Sequence, residues 1–512
     1  MEFNATKETV AAATRTTNHE GGEAFDPVDP RLALYERTVN QLLEDSYYED
    51  DEEHLVALVE CFDAAADEDP AFVLKLAAYA RQELYLRDVP QVLLVLAASD
   101  DRFKDDTDES LVREWAPAIV QRMDETATAL AVHDELFGGT APWPLRRGIE
   151  DALVGLADAY TLGKYELPRR EVTLRDVFNR VHPTPVDEEQ DALFERFVRG
   201  DLDDYPDVEP LPSPNTWETV VSERGNTREA WETLIEDEAY SLPVFASIRN
   251  LRNVLEAGVP EETVVDHLDL EAVRHAPLYP FRYYQAYRAI REAGIDAPEV
   301  ERWLERAVDV SVENVPDGLG DTFVGVDLSG SMDARLSRKG TLRRKEIGAL
   351  FGAVLADQGA RVGGFGDDFR EISTHVDTPV LQRQEAVLGV DDAVGNSTNG
   401  WKVLGHLREE GVAVDRVVLF TDMQIWDSTY LVAEDRTVRE EFEAYREAVA
   451  PDASLYMVDL ASYGDLVTPE GYENVYNVSG WSENVLEFIE HAEEPTQVVD
   501  EIDGYEPAEV GE

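Results

Sequence analysis

The chain has 512 residues, with 108 Asp or Glu against 45 Lys or Arg for a formal charge of −63, and a single cysteine, Cys61. Such a length holds two or three domains with sizeable cores, and one cysteine excludes an internal disulfide and any cysteine-cluster zinc site. No run of about 18 apolar residues is present to span a membrane, and Met1-Glu2-Phe3-Asn4 lacks the basic and then apolar regions of a secretory signal, so the chain reads as soluble and cytoplasmic.

Acidic residues run through segments that also carry hydrophobics, lysine is nearly absent and arginine is plentiful. This composition reads as halophilic, since an acidic surface keeps a protein hydrated in brine and a Debye length of about 3 Å at molar salt screens its self-repulsion. The same charge argues against nonspecific nucleic-acid binding in dilute buffer.

Residues 1–27 form an N-terminal polar segment ending near Gly21-Gly22. From Asp29-Pro30 the apolar residues Leu32, Leu34, Tyr35, Val39 and Leu42 recur near a helical period, and Asp69-Pro70 supplies a cap and a first-turn proline to a helix over 71–87. Cys61 sits among Leu58, Val59 and Phe62 as an expected core residue. Further helices are expected near 90–98, 109–136, 145–161, 227–236, 244–256, 261–268, 279–293 and 298–309. Helices over 28–315 with no strand alternation point to an irregular α-solenoid. After Gly318-Leu319-Gly320 an α/β pattern over 316–492 gives strands near 322–327, 361–365, 369–373, 415–421, 453–459 and 474–478, alternating with helices near 343–358, 399–410, 434–449 and 482–491. Gly366-Asp367-Asp368 joins two of these strands as an antiparallel edge hairpin. Residues 493–512 are mostly acidic or turn-forming and are expected as an acidic flexible tail.

The chemistry concentrates at Thr322–Met332, where Phe323, Val324 and Val326 make a strand buried on both faces that ends in Asp327, Ser329 and Ser331. This D-x-S-x-S pattern offers one carboxylate and two hydroxyls, hard oxygen ligands for a small cation such as Mg²⁺. A second apolar run, Val417–Phe420, ends at Thr421-Asp422, and the polar loop Asn396–Gly400 leads into a helix. In an open α/β sheet such loops gather at one edge, where the strand order reverses.

The arrangement resembles the von Willebrand factor A domain and its metal-ion-dependent adhesion site (MIDAS), carried here by Asp327, Ser329, Ser331, Thr398 and Asp422. The resemblance implies a divalent cation held directly or through water by these residues. The helical part has its own resemblance. Glu83–Pro90, Leu174-Arg175-Asp176 with Val181-His182-Pro183, Ile248–Asn253 and Leu278–Arg282 are similar to segments of the TROVE module of the Ro autoantigen family. Ser397–Lys402, Thr421–Trp426 and Val478–Ser482 are similar to its bacterial-type members. That family joins a ring of HEAT-like helical repeats to a C-terminal A domain, in the order seen here, which implies a monomeric ring.

Against so acidic a chain, clustered positive charge is informative. Arg335, Arg338, Lys339, Arg343, Arg344 and Lys345 follow the metal loop with no acid among them. They suit phosphates or a partner's carboxylates, and they equally suit salt bridges to the chain's own acids. The TROVE resemblance implies a ribonucleoprotein that binds small noncoding (Y) RNA and the single-stranded ends of misfolded or decaying RNA. Carried over by position, Arg175, His182, Arg249 and Arg252 are the candidate RNA contacts, with an exoribonuclease or another protein docking through the A domain. At high salt, affinity would rest on bidentate arginine contacts and base stacking, for which Tyr85, Tyr283, Tyr284 and Tyr287 are candidates.

Catalysis has little support. Neither a phosphate-binding G-x-x-x-x-G-K-[ST] loop nor an H-E-x-x-H motif is present, and His375 and His406 stand in no triad context. The expectation is a non-enzymatic RNA-quality-control scaffold. The alternative is a metal-dependent protein-interaction scaffold without RNA binding, and a metal-dependent hydrolase ranks third for want of a general base.

Overall fold

The computed structural model describes residues 16–17, 23–24, 29–40, 52–104, 110–166, 170–200, 205, 207–212, 214–237, 240, 242–276, 278–315, 321–336, 342–373, 375, 377–422, 437–460, 474–479, 486, 489 and 495–507. Its architecture is a long run of paired helices followed by a doubly wound α/β domain, and short strands at Thr16–Thr17 and Glu23–Ala24 pair antiparallel ahead of the helices. None of the described helices is long and apolar enough to cross a membrane.

The chain divides into two compact units, one of Asp29–Thr219 with Glu494–Glu512, the other of Met1–Val28 with Val220–Glu493. In the first, helices such as Pro70–Gln82, Asp88–Ser99, Met123–Leu136 and Trp143–Leu156 bury apolar faces on one another. Asp69 caps the Pro70–Gln82 helix by accepting from the N–H groups of Ala71 and Phe72, as its Asp-Pro start predicts. The helix stops short of Arg87 because Tyr85 turns left-handed (φ 56°). The expected 109–136 helix is two, Leu111–Ile119 and Met123–Leu136, with the Glu125 carboxylate accepting from the Gln121 and Arg122 N–H groups at the second start. Helices Leu174–Val181 and Glu188–Arg199 were not anticipated. Cys61 is half-buried.

Within the 493–512 segment expected to be a flexible tail, the described residues 495–507 are ordered. Pro495–Asp503 is a helix with Val498, Val499 and Ile502 buried. Asp503 Oδ2 pairs with Arg31 Nη1 at 3.3 Å, and its carbonyl accepts from Lys75 Nζ. The Tyr505 ring meets Tyr79 edge-on at 5.4 Å. The three apolar residues on one helical face outweigh the acids between them.

In the second unit six strands, β1 (Thr322–Asp327), β2 (Arg361–Phe365), β3 (Phe369–Ile372), β4 (Arg416–Thr421), β5 (Ser454–Asp459) and β6 (Val475–Ser479), form a sheet in the order β3-β2-β1-β4-β5-β6. All neighbours are parallel except the β2–β3 edge hairpin. The central strands are buried on both faces. On one side Phe323, Leu419 and Met457 pack against Leu404, Leu407, Phe442 and Tyr445. On the other the ring of Phe420 stacks on Phe351 at 4.8 Å.

Residue 315 marks a change of element type and no break in packing. Phe281, on the Pro280–Glu292 helix, lies 4.3 Å from Phe351, Arg288 holds Glu346 at 2.8 Å, and the Val380 N–H donates to Asp309 on the Pro298–Ser311 helix.

Candidate metal centre and basic surfaces

Strand order reverses between β1 and β4, and the crevice at their carboxyl ends is where an open α/β sheet offers a binding site. β1 ends at Asp327, fully buried, and β4 at Thr421, followed by Asp422, also buried. The Ser329 N–H donates to Asp327 Oδ1 at 2.8 Å, and the Thr421 hydroxyl donates to Asp327 Oδ2 at 2.8 Å. Ser329 and Ser331 hydroxyl oxygens stand 3.2 Å apart. Asn396 presents its carbonyl to the Gly330 N–H at 3.3 Å and the Asn399 N–H donates to the Gly366 carbonyl, so the loop carrying half-buried Thr398 is fastened beside the β1 turn.

Burial pushes the Asp327 carboxyl up to about 7; hydrogen bonds from Ser329 and Thr421 act the other way and the nearby charge of Asp422 adds to the rise. Arg344 Nη1 lies 3.9 Å from Asp422 Oδ2. The donor chemistry fits a small hard cation. Asp327 accepts from the Ser329 N–H and from the Ser329 and Thr421 side chains, so its carboxylate is held in place at the end of β1. Two adjacent oxygens on an octahedral Mg²⁺ stand about 2.9 Å apart for bonds of about 2.0–2.1 Å, close to the serine pair's separation. Among the described residues no group of three or more His, Cys, Asp or Glu side chains is placed to hold a metal, so any site here draws on hydroxyls as well as carboxylates. Thr421 was missed at the sequence level; its place on the last residue of β4 was the available signal.

Among the described residues of the basic cluster that follows the β1 turn, Arg343, Arg344 and Lys345 lie beside carboxylates. Arg343 Nη1 lies 2.8 Å from Asp333, and Lys345 Nζ lies 2.7 Å from Asp333 and 2.6 Å from Asp391. Arg335 is exposed and pairs through its backbone with Arg343. Arg338 and Lys339 lie outside the described residues.

The four candidate RNA contacts divide between the two units. In the first, Arg175 is partly buried, 3.3 Å from Glu166 and over the Phe197 ring. His182 is exposed and left-handed (φ 55°), with its N–H donating to the Phe178 carbonyl as the cap of the Leu174–Val181 helix. In the second, Arg249 and Arg252 lie exposed on the Val244–Glu256 helix. Arg252 lies 3.7 Å from Glu256, and the Arg249 side chain has no hydrogen bond or ion pair among the described residues. Of the stacking candidates, Tyr283, Tyr284 and Tyr287 are buried while Tyr85 is 67% exposed. Neither histidine near the metal loop in sequence serves that site: His406 Nε2 lies 3.1 Å from Glu371, and His375 is exposed beside Asp377.

Residues 210–316 match the family model of the TROVE domain. The chain is 26% identical over 312 residues to Telomerase protein component 1 of Mus musculus, covering 46% of this chain and 12% of that protein. It is also 26% identical over 307 residues to the Rattus norvegicus protein, covering 44% and 11%. The match thus occupies about one-eighth of those relatives' own length. Among solved structures, the RO (RSR) protein of Deinococcus radiodurans superposes with a TM-score of 0.66 at 17% identity, covering 91% of this chain and 100% of that one.

Proposed function

From a chain that carries a TROVE domain within the fold of a Ro protein, we propose an RNA-binding ribonucleoprotein scaffold. It takes small noncoding (Y-like) RNA and the single-stranded ends of misfolded or decaying RNA, and it performs no chemistry on them. The observation that supports this most is Arg249: within the TROVE match it is an exposed guanidinium with no ion pair among the described residues, in a chain of net charge −63. Arg252 and exposed His182 are further contacts. Arg175, already paired with Glu166, is the fourth candidate contact.

In the same reading Asp327, Ser329, Ser331, Thr398 and Asp422 hold a divalent cation such as Mg²⁺. With few anionic ligands the ion keeps positions for a partner's oxygen, which makes the A-like domain a docking point for an exoribonuclease or another protein. A second reading, a metal-dependent protein scaffold without RNA binding, is favoured by the convergence of hydroxyl and carboxylate oxygens at β1 and β4.

Equilibrium binding separates the two. The full chain is titrated with a hairpin RNA bearing a single-stranded tail and with the same hairpin blunt-ended. The RNA reading expects preference for the tailed form, lost in Arg249→Ala/Arg252→Ala and kept in Asp327→Ala. Absence of binding to either RNA leaves only the metal-dependent scaffold.

A further inference from the structure

Among the described residues of the unit containing Val220–Glu493, one large apolar side chain stands out at the surface, Phe245, which is 41% exposed. A single exposed apolar residue is ordinary, so its surroundings decide its meaning. Phe245 lies in the first turn of the Val244–Glu256 helix, whose Ala246, Ile248, Asn250, Leu251, Val254 and Leu255 face inward. Helical spacing puts Arg249 at i+4 and Arg252 at i+7 on the outward stripe that begins at Phe245.

The arginines of this stripe are less committed than several others in the unit. Arg274, Arg288, Arg361 and Arg383 each hold a carboxylate at 2.6–2.8 Å. Arg249 has no ion pair among the described residues, and Arg252 has only an exposed i,i+4 neighbour at 3.7 Å. A flat apolar ring with two loosely committed guanidiniums, the first about 6 Å along the helix axis, matches the two chemistries of a nucleotide, an uncharged base face and an anionic phosphate. An apolar partner surface would leave the arginines unmatched, and an acidic one would leave the ring unmatched.

We propose that Phe245 stacks on a base of single-stranded RNA while Arg249 and Arg252 hold the adjacent phosphates. The proposal rests on the reading of the chain as RNA-binding and names a surface for it. Its physical consequence concerns salt. Phosphate contacts weaken steeply as salt rises because they depend on counterion release. Stacking does not share that dependence, so the ring sustains binding where the arginines alone would fail.

The test is fluorescence anisotropy of the full chain with a fluorescein-labelled oligouridylate over a KCl series. Phe245→Ala is expected to weaken binding about 5- to 150-fold at every salt concentration, with the slope of log affinity against log salt unchanged. Phe245→Tyr, which keeps a stacking face, should bind as wild type does. Arg249→Ala should lose most at low salt and flatten the slope by about 0.7. Because Phe245 and Arg249 both lie at the surface, all three variants should keep the wild-type circular dichroism. If the wild type binds and Phe245→Ala binds equally well, the stacking inference falls and the RNA reading stands. If the wild type binds no RNA, both fall.

Discussion

Replacing Gly366 by alanine tests how the loops of the candidate metal site are held together. A Cβ built at Gly366 would stand 2.2 Å from the Gly395 carbonyl oxygen and 2.9 Å from that of Val394, both backbone atoms. Ordinary contact begins at 3.4 Å, so the Gly395 carbonyl must retreat by more than 1 Å. The segment that must move carries Asn396, Thr398 and Asn399, and the last donates its N–H back to the Gly366 carbonyl at 3.1 Å. Overpacking against backbone costs about 1–3 kcal/mol, which for a unit of this size lowers Tm by about 2–12 °C. Gly330→Ala is the control: it belongs to the same loop cluster, its Cβ would meet nothing within 4 Å, and it should stay within about 0.5 kcal/mol of wild type. Differential scanning calorimetry of the full chain reads both. Hydrogen exchange of the Asn399 amide, faster in Gly366→Ala alone, localises the damage. A Gly366→Ala protein that melts with the wild type, or equal losses in both variants, refutes the claim that this close approach fixes the Thr398 loop.

Other outcomes follow from the same geometry. Thr421→Val removes the hydroxyl that donates to buried Asp327 Oδ2 while keeping the volume, and should cost about 1–3 kcal/mol in chemical denaturation. A loss within error would show that Asp327 does not need that donor. Ile502→Ala should destabilise the helical unit by about 2–5 kcal/mol, since Ile502 is fully buried, and an unchanged melting curve would mean that the C-terminal helix is not docked. Glu371 lies below its ordinary 4.5 because Arg361 bonds both its oxygens, with His406 adding to the effect. A depressed carboxylate adds stability that is present above its unfolded pKa and is lost as pH falls through its folded one. Glu371→Gln should therefore lower stability near neutrality and flatten the fall of stability below about pH 4.5; parallel acid profiles for the two proteins would contradict this.

The α/β half was the more legible part of the sequence. Runs such as Phe323–Val326 and Val417–Phe420 are short, β-rich and bounded by turns, so strand ends fell within a residue or two of those observed. The order of Asp327, Ser329, Ser331, Thr398 and Asp422 pointed to the crevice, because strand-end loops of a parallel sheet share one edge. The hydrogen bond from Thr421 to Asp327 was not legible, since it joins residues 94 apart. The same holds for the basic cluster. Lys345 looks free in sequence, but Asp391 closes on it from 46 residues away. The C-terminal helix was hidden by composition: its acids suggest disorder, and only the spacing of Val498, Val499 and Ile502 marks the buried face. Helix boundaries failed where one residue's backbone decides them, as at Tyr85, whose left-handed turn an aromatic residue does not announce.

The most direct measurement of the central claim is purification of the tagged full chain from the cells it comes from, followed by sequencing of the bound RNA, with Arg249→Ala/Arg252→Ala in parallel. The account predicts a discrete set of small RNAs and of RNAs with single-stranded ends, enriched in the wild type and depleted in the arginine variant. RNA indistinguishable in both from the total cellular pool would contradict it.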